Sequence, residues 1–198
     1  MPDAADLRLV LASASPRRSQ LLAQIGVAHR IVPADIDERR HDGEPVEQCV
    51  RRLAEQKAQQ VCARLREPAT PVLGADTAVV IDGEMLGKPR DREHALAMLA
   101  RLSAREHAVI SAVALAHHGK LSSRLSHSTV RFRLLSAAEC ARYWDSGEPC
   151  DKAGAYAIQG LGAVFVQALQ GSYSGVMGLP LFETAALLTA AAVPMWQA

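Results

Sequence analysis

An α/β fold is the class this sequence predicts, and three features carry the prediction. Apolar runs of strand length, rich in Val, Leu and Ile, recur along the chain, as in Leu7 to Ala12, the two short runs on either side of Asp76, and Val109 to Ala116. Between them lie stretches with apolar residues at helical spacing, above all Val46, Cys49, Val50, Leu53, Val61 and Leu65. Helix-start signals stand at the joints: Ser15-Pro16, Pro45, Asp91, and Ser136 with Glu139. With 198 residues, this is expected to be one domain over residues 1–198, with room for two lobes and a sizeable core. No repeat, low-complexity tract or linker divides it.

Composition narrows the function classes. Hydrophobic residues make 49% and charged residues 22%, as in a soluble globular protein. Lys plus Arg number 22 against 21 Asp plus Glu, so a net charge of +1 gives no global pull toward nucleic acid or anionic membrane. Any anionic ligand must be held by local basic residues. No segment approaches the roughly 18 apolar residues of a membrane span. The opening Met1-Pro2-Asp3-Ala4-Ala5-Asp6 does not read as a signal peptide. Cys49, Cys62, Cys140 and Cys150 have neither C-x-x-C nor metal-finger spacing, which suits reduced thiols and a cytoplasmic protein.

Taken in order, Leu7 to Ala12 reads as a buried strand. In Ser13-Ala14-Ser15-Pro16-Arg17-Arg18, Ser15 suits a helix N-cap and Pro16 the first helical position, for a helix reaching Ile25 and stopping at Gly26. Two hydroxyls, unpaired backbone N–H groups and two arginines then share one helix N-terminus, a combination that favours phosphate or carboxylate. The plainer alternative is a capped helix with two solvated arginines. His29 to Pro33 reads as a strand, followed by an acidic turn with Asp35, Asp37 and Glu38 and a polar loop over residues 39–44. Pro45 opens a helix to about Arg66. Lys57 falls on its apolar stripe, four residues after Leu53 and four before Val61. Such a lysine commonly snorkels to solvent, or its ammonium can reach across toward Asp76.

The stretch from Pro71 to Asp91 is the centre of the pattern. Two apolar runs flank Asp76, and Asp82-Gly83 supplies a tight hairpin turn. A carboxylate between such runs is expensive to bury unless a cation or donor meets it. Lys88 is boxed by Gly87 and Pro89. Asp91 caps a helix through Leu102, with Leu96, Leu99 and Leu102 facing inward. Val109 to Ala116, a turn at His118-Gly119-Lys120, and alternating Val130, Phe132 and Leu134 predict two long antiparallel strands. Ser136 and Glu139 form a capping box for a helix ending near Gly147. Glu148 to Gly160 is polar and expected to end in a strand. Gly162 to Leu169 reads as a core strand, Gly171 to Gly175 as a flexible loop, and Pro180 starts a last helix.

Several standard signatures are missing. Gly83 to Lys88 is too short for a Walker A loop and runs into Pro89, Gly160-Leu161-Gly162 lacks the third glycine of a dinucleotide fingerprint, and neither H-E-x-x-H nor G-x-S-x-G occurs. What remains is carboxylates and basic residues at strand ends and helix starts. Asp37, Glu38 and Asp76 are hard oxygen ligands suited to Mg²⁺ or Mn²⁺, while Arg17, Arg18, Lys57, Lys88 and Lys152 could neutralise a polyphosphate. That set fits phosphoryl chemistry, in which positioning and charge stabilisation do most of the work.

Ser13-Ala14-Ser15-Pro16-Arg17-Arg18 after an N-terminal strand resembles the opening motif of the Maf family of nucleoside triphosphate pyrophosphatases. Asp37-Glu38, Leu53-Ala54 with Lys57-Ala58, Gly74-Ala75-Asp76-Thr77, Lys88-Pro89 and Asp151-Lys152-Ala153-Gly154-Ala155-Tyr156 with Gln159-Gly160 are similar to its later motifs and occur in the same order. The resemblance runs from about residue 8 to residue 190. It implies an elongated mixed β-sheet flanked by helices, two lobes with a central cleft, and a homodimer. It also implies hydrolysis of the α–β phosphoanhydride of a nucleotide with a divalent metal cation. By the same resemblance Asp76 is the general base, Glu38 and Asp76 hold the metal, and Ser13, Arg17, Arg18, Lys57, Lys88 and Lys152 line the cleft. A link between the family and septum formation makes a nucleotide-sensing regulator the alternative from another class.

The resemblance also bears on the base. One branch of the family, similar to 7-methylguanosine triphosphate pyrophosphatases, carries Trp in place of Arg17 and Glu in place of Gln159. A cationic 7-methylguanine stacks on Trp and offers donors to a carboxylate. The Gln159 amide instead presents one acceptor and one donor side by side, matching N3–H and O4 of uracil or thymine. Thr77 is small enough to leave room for the thymine methyl. The expected substrates are therefore dTTP and UTP at comparable rates, with 7-methyl-GTP poor and CTP undecided, since a flipped amide suits its N3 and N4.

Overall fold

The computed structural model describes residues 9–65, 67 and 69–197. The expected start of the first strand at Leu7 and the end of the long helix at Arg66 lie outside those residues. The elements, in order, are β1 (Val10–Leu11), α1 (Pro16–Gln24), β2 (Arg30–Ile31), α2 (Val46–Leu65), β3 (Val72–Ile81), β4 (Glu84–Leu86), α3 (Arg92–Leu102), β5 (Glu106–His117), β6 (Lys120–Phe132), α4 (Ala137–Asp145), β7 (Val166–Gln170), α5 (Tyr173–Met177) and α6 (Leu181–Ala190). The strands form one seven-stranded mixed sheet in the order β2-β1-β3-β5-β6-β7, with β4 paired to β3. The predicted α/β class holds. Among the described residues no helix is long and apolar enough to cross a membrane.

The chain forms two compact units. One comprises the residues up to Asp76, Ser111–Ser126 and those from Gly178 onward. Here β1 pairs in parallel with both β2 and β3, Val10 lying opposite Arg30 and Val72. Parallel strands need a helical crossover, and α1 and α2 supply the two. Leu9, Leu11, Leu21, Leu22, Val50, Leu73 and Leu188 are sealed from solvent. α2 buries Val46, Cys49, Val50, Leu53, Ala54, Lys57, Ala58 and Val61, so the predicted stripe faces the interior and takes Lys57 with it. Gly74 has a packing reason. A Cβ there would stand 2.8 Å from the Ala58 backbone nitrogen and closer still to the Ala54 carbonyl, so β3 and α2 touch backbone to backbone.

The other unit comprises Thr77–Ile110 and His127–Met177. Asp82 and Gly83 both have left-handed φ, 55° and 76°, as the β3–β4 hairpin turn requires. Phe132, Tyr143, Tyr156 and Phe165 meet edge to face in a core with Val79, Ile81, Leu99 and Leu102. Asp91 Oδ1 accepts from the His94 amide, and Ser136 with Glu139 closes both halves of the capping box, as the sequence predicts.

Three expectations fail in this unit. Glu148–Asp151 and Ala153–Ala155 fold into 3₁₀ turns on either side of an extended Lys152, and 156–160 do not form a strand. The apolar run expected as a core strand is a 3₁₀ turn over Leu161–Phe165 followed by β7, an edge strand whose Gln167, Ala168 and Gln170 are exposed. The loop expected at 171–175 turns into the short helix α5, whose start is tied down by Ser172 Oγ accepting from the Gly175 amide. In the first unit Ser15 is the N-cap residue of α1, yet its side chain makes no capping bond; its own amide donates to Ser13 Oγ at 3.2 Å.

Candidate active site

The close contact of β3 with α2 decides where Lys57 goes. Ala54 and Ala58 flank Gly74, which brings the helix face carrying Lys57 against the strand that carries Asp76. Lys57 Nζ donates to Asp76 Oδ1 at 2.7 Å and lies 2.6 Å from Glu38 Oε1. The Lys57 side chain is only 8% exposed and that of Asp76 15%, whereas Glu38 is 58% exposed. A buried ammonium between two carboxylates satisfies the electrostatic requirement that an Asp inside a strand imposes. The snorkelling alternative for Lys57 is thereby excluded.

The start of α1 belongs to the same group. Arg18 Nη1 donates to Ser13 Oγ at 3.0 Å and Arg18 Nε to the Gly178 carbonyl at 2.8 Å. Burial lowers the Arg18 guanidinium from its ordinary value; Asp76 and Glu38 act in the opposite direction, and Arg17 adds a like-charge push. Ser13 is buried and Arg17 half-buried. The unit therefore collects Ser13, Arg17, Arg18, Glu38, Lys57 and Asp76 into one neighbourhood. Asp37 does not join them. Its carboxylate is clasped by Arg39 at 2.6 to 3.0 Å, which holds it at about 2.

Glu38 and Asp76 are hard oxygen donors that already converge on one cation, the Lys57 ammonium. Mg²⁺ asks a protein for little more than one or two carboxylates, the remaining positions going to water and phosphate oxygens. The donor set fits such an ion. Among the described residues no cluster of three or more His, Cys, Asp or Glu side chains could hold a metal without that help.

The second unit carries the other predicted residues. Thr77 follows Asp76 on β3 and is half-buried. Lys88 is exposed in the turn after β4. Lys152, 14% exposed, pairs with Asp151. The Gly154 amide donates to the Gly87 carbonyl at 3.1 Å, which stitches the turn bearing Lys152 to the turn bearing Lys88. Gly154 has φ 68°, and a Cβ there would press on the Val79 side chain at 3.0 Å, so both backbone and packing favour glycine. Gln159 is exposed at the tip of the loop before the last 3₁₀ turn.

Sequence reasoning missed what holds that loop. Glu148 Oε1 accepts from the Tyr143 hydroxyl at 2.7 Å and from the Gly162 amide at 3.0 Å, while Oε2 accepts from the Leu161 amide at 2.9 Å. The Tyr143 oxygen in turn accepts from the Ala157 amide at 3.0 Å. The available signal was the glycine pair Gly160 and Gly162, spaced for a backbone that must approach some polar group closely. Nothing local names Glu148 as that group, because it stands more than ten positions earlier in the chain.

Comparison with known proteins agrees with these motifs. The sequence profile described as Maf-like protein matches residues 8–191. A protein named dTTP/UTP pyrophosphatase from Bordetella parapertussis is 54% identical over 193 residues, covering 94% of this chain and 93% of its own. Proteins of the same name from Saccharophagus degradans, 53% identical over 191 residues, and Methylobacillus flagellatus, 54% over 181 residues, cover 96% and 91% of this chain, and each is itself covered over 91% of its length. A crystal structure of a nucleoside-triphosphatase / dITP/XTP pyrophosphatase from Mycobacterium abscessus aligns over 94% of this chain and 99% of that one, with a TM-score of 0.43 and 16% identity, a likeness too distant to weigh. The profile spans nearly the whole chain, so the chain belongs to the Maf-like protein family.

Proposed function

We propose that this chain is a nucleoside triphosphate pyrophosphatase that converts dTTP and UTP to the nucleoside monophosphate and pyrophosphate. The observation that carries the reading is Lys57 bridging Asp76 and Glu38 beside the Ser13–Arg18 pair, in a family whose relatives at 53–54% identity bear the name of that activity.

The chemistry follows from the groups present. Asp76 accepts a proton from a water that attacks the α-phosphorus; the new P–O bond forms as the bond to the bridging oxygen breaks, and that oxygen leaves with its electron pair on pyrophosphate. A carboxylate has lone pairs on both oxygens, so Oδ1 can hold Lys57 while Oδ2 takes the proton. Lys57 fixes the orientation of Asp76. Ser13 can donate its hydroxyl hydrogen to a phosphate oxygen while accepting from Arg18, and Arg17 and Arg18 place positive charge at the start of α1, where the helix dipole adds to it. The family resemblance assigns the outer phosphates to Lys88 and Lys152, and O4 and N3–H of uracil or thymine to Gln159, with Thr77 leaving space for the thymine methyl. A divalent cation, Mg²⁺ or Mn²⁺, would be held by Glu38 and Asp76 and would supply charge neutralisation at the anhydride oxygens.

The bond that breaks tests this reading. UTP should give UMP and pyrophosphate, and EDTA should abolish turnover, with added Mg²⁺ restoring it. Release of UDP and inorganic phosphate would assign a different reaction. A homodimer and a cytoplasmic location rest on the family resemblance and on composition, and the molar mass in solution reads the first of them.

A further inference from the structure

We propose that Glu148, through Tyr143 and the amides of Leu161 and Gly162, is a positioning residue that sets the pose of Gln159 and hence the choice of base. This rests on the reading of Gln159 as the group that meets the base.

The carboxylate brackets Gln159 from both sides. On the far side its two oxygens take the amides of Leu161 and Gly162. On the near side it takes the Tyr143 hydroxyl, whose oxygen receives the Ala157 amide. Residue 161 is thus pinned to the carboxylate directly and residue 157 through the Tyr143 hydroxyl, and Gln159 is midway between them in sequence. Gly160 leaves the space the carboxylate fills: a Cβ there would come within 2.7 Å of Glu148 Oε1 and 2.5 Å of its carboxyl carbon. Tyr143 is itself fixed by edge-to-face packing on Phe165 at 4.9 Å. Ala157 and Ile158 are buried and the Gly160 and Ala163 amides close turns onto Ala157 and Gly160, but the far side of the exposed Gln159 is held mainly through the carboxylate, so removing its acceptors loosens the segment that carries Gln159. Burial raises the affinity of Glu148 for its proton, but the Tyr143 hydroxyl, the two amides and the nearby Lys152 outweigh it and keep the carboxyl below its ordinary range. The group is therefore an acceptor on both oxygens at neutral pH, as the clamp requires.

A charged acceptor bonded three times is not replaced by an amide, which offers one acceptor and turns a donor toward an N–H. Glu148→Gln should raise hydrogen exchange of the amides of residues 157–162 by about tenfold or more, and lower the ratio of kcat/KM for UTP over 7-methyl-GTP by about tenfold. The change should appear mainly in KM for UTP, since Asp76 and Lys57 are untouched. Tyr143→Phe keeps the ring packing, loses the hydroxyl, and should move both quantities in the same direction if Glu148→Gln folds poorly. In a Gln159→Ala background, Glu148→Gln should leave the ratio where Gln159→Ala has put it. Unchanged exchange would overturn the proposal. So would faster exchange with an intact UTP preference, or an equal loss on both nucleotides. The exchange measurement needs no substrate, so a wild-type chain that releases no pyrophosphate from UTP would count against the proposed activity alone.

Discussion

Gly74 should be where structure and chemistry fail together. Its hypothetical Cβ would lie 2.8 Å from the Ala58 nitrogen and nearer still to the Ala54 carbonyl, while ordinary contact begins near 3.4 Å. Both neighbours are backbone, so neither can rotate away. Gly74→Ala must lift α2 from β3 by more than about half an ångström, and overpacking of that kind costs about 1–3 kcal/mol. The same displacement carries Lys57 away from Asp76, now 2.7 Å apart. A misplacement approaching 1 Å in a catalytic constellation costs up to about 10²-fold in rate. Urea unfolding reads the first effect. Pyrophosphate release from UTP, measured without denaturant at a temperature where the variant stays folded, reads the second. A variant with wild-type stability and turnover would refute the claim that this backbone contact places the Lys57–Asp76 pair.

Three further predictions concern single groups. Asp76→Asn should keep the fold and lose roughly 10²-fold or more in kcat, and near-normal turnover would remove Asp76 from the role of base. Lys57→Met keeps the apolar stem but removes the ammonium that donates to Asp76, so it should lose both activity and about 1–3 kcal/mol of stability. Adding Asp76→Asn should restore the stability and not the activity; a double variant as unstable as Lys57→Met would place the loss in packing. His107 is buried against Phe132 and Tyr156, and burial lowers it from 6.5 to about 4. The unfolded chain thus binds this proton near pH 6.5 and the folded chain only near pH 4. Its contribution is fully favourable above the unfolded value and is lost as pH falls through that window, by about 3 kcal/mol in all. Stability of His107→Phe should vary less than wild type between those two pH values, and parallel curves would contradict it.

Features set by local chemistry were legible in the sequence. The Ser136–Glu139 box, the Asp91 cap and the Asp82-Gly83 turn each depend on residues within a few positions of one another, and each forms as expected. The helical stripe carried Lys57 inward because the helical period fixes which face is buried. What the sequence did not disclose depends on partners distant along the chain. Ser13 rather than Ser15 takes the hydrogen bonds at α1, because Arg18 reaches back to it. The run Gly162 to Leu169 looks like a core strand by composition, yet Glu148 draws its first residues into a 3₁₀ turn and β7 lies at the sheet edge. The site divides in the same way. The residues that meet around Lys57 could be read from motifs, whereas the Gly74 contact and the Glu148 clamp appear only once the chain is folded.

The central claim is tested most directly by measuring kcat/KM for pyrophosphate release from dTTP, UTP, CTP and 7-methyl-GTP under one set of conditions. A site in which Gln159 meets O4 and N3–H should favour dTTP and UTP about equally and leave 7-methyl-GTP poor, because mismatched polar edges in a binding site discriminate strongly. A preference for 7-methyl-GTP, or equal turnover of all four, would contradict it.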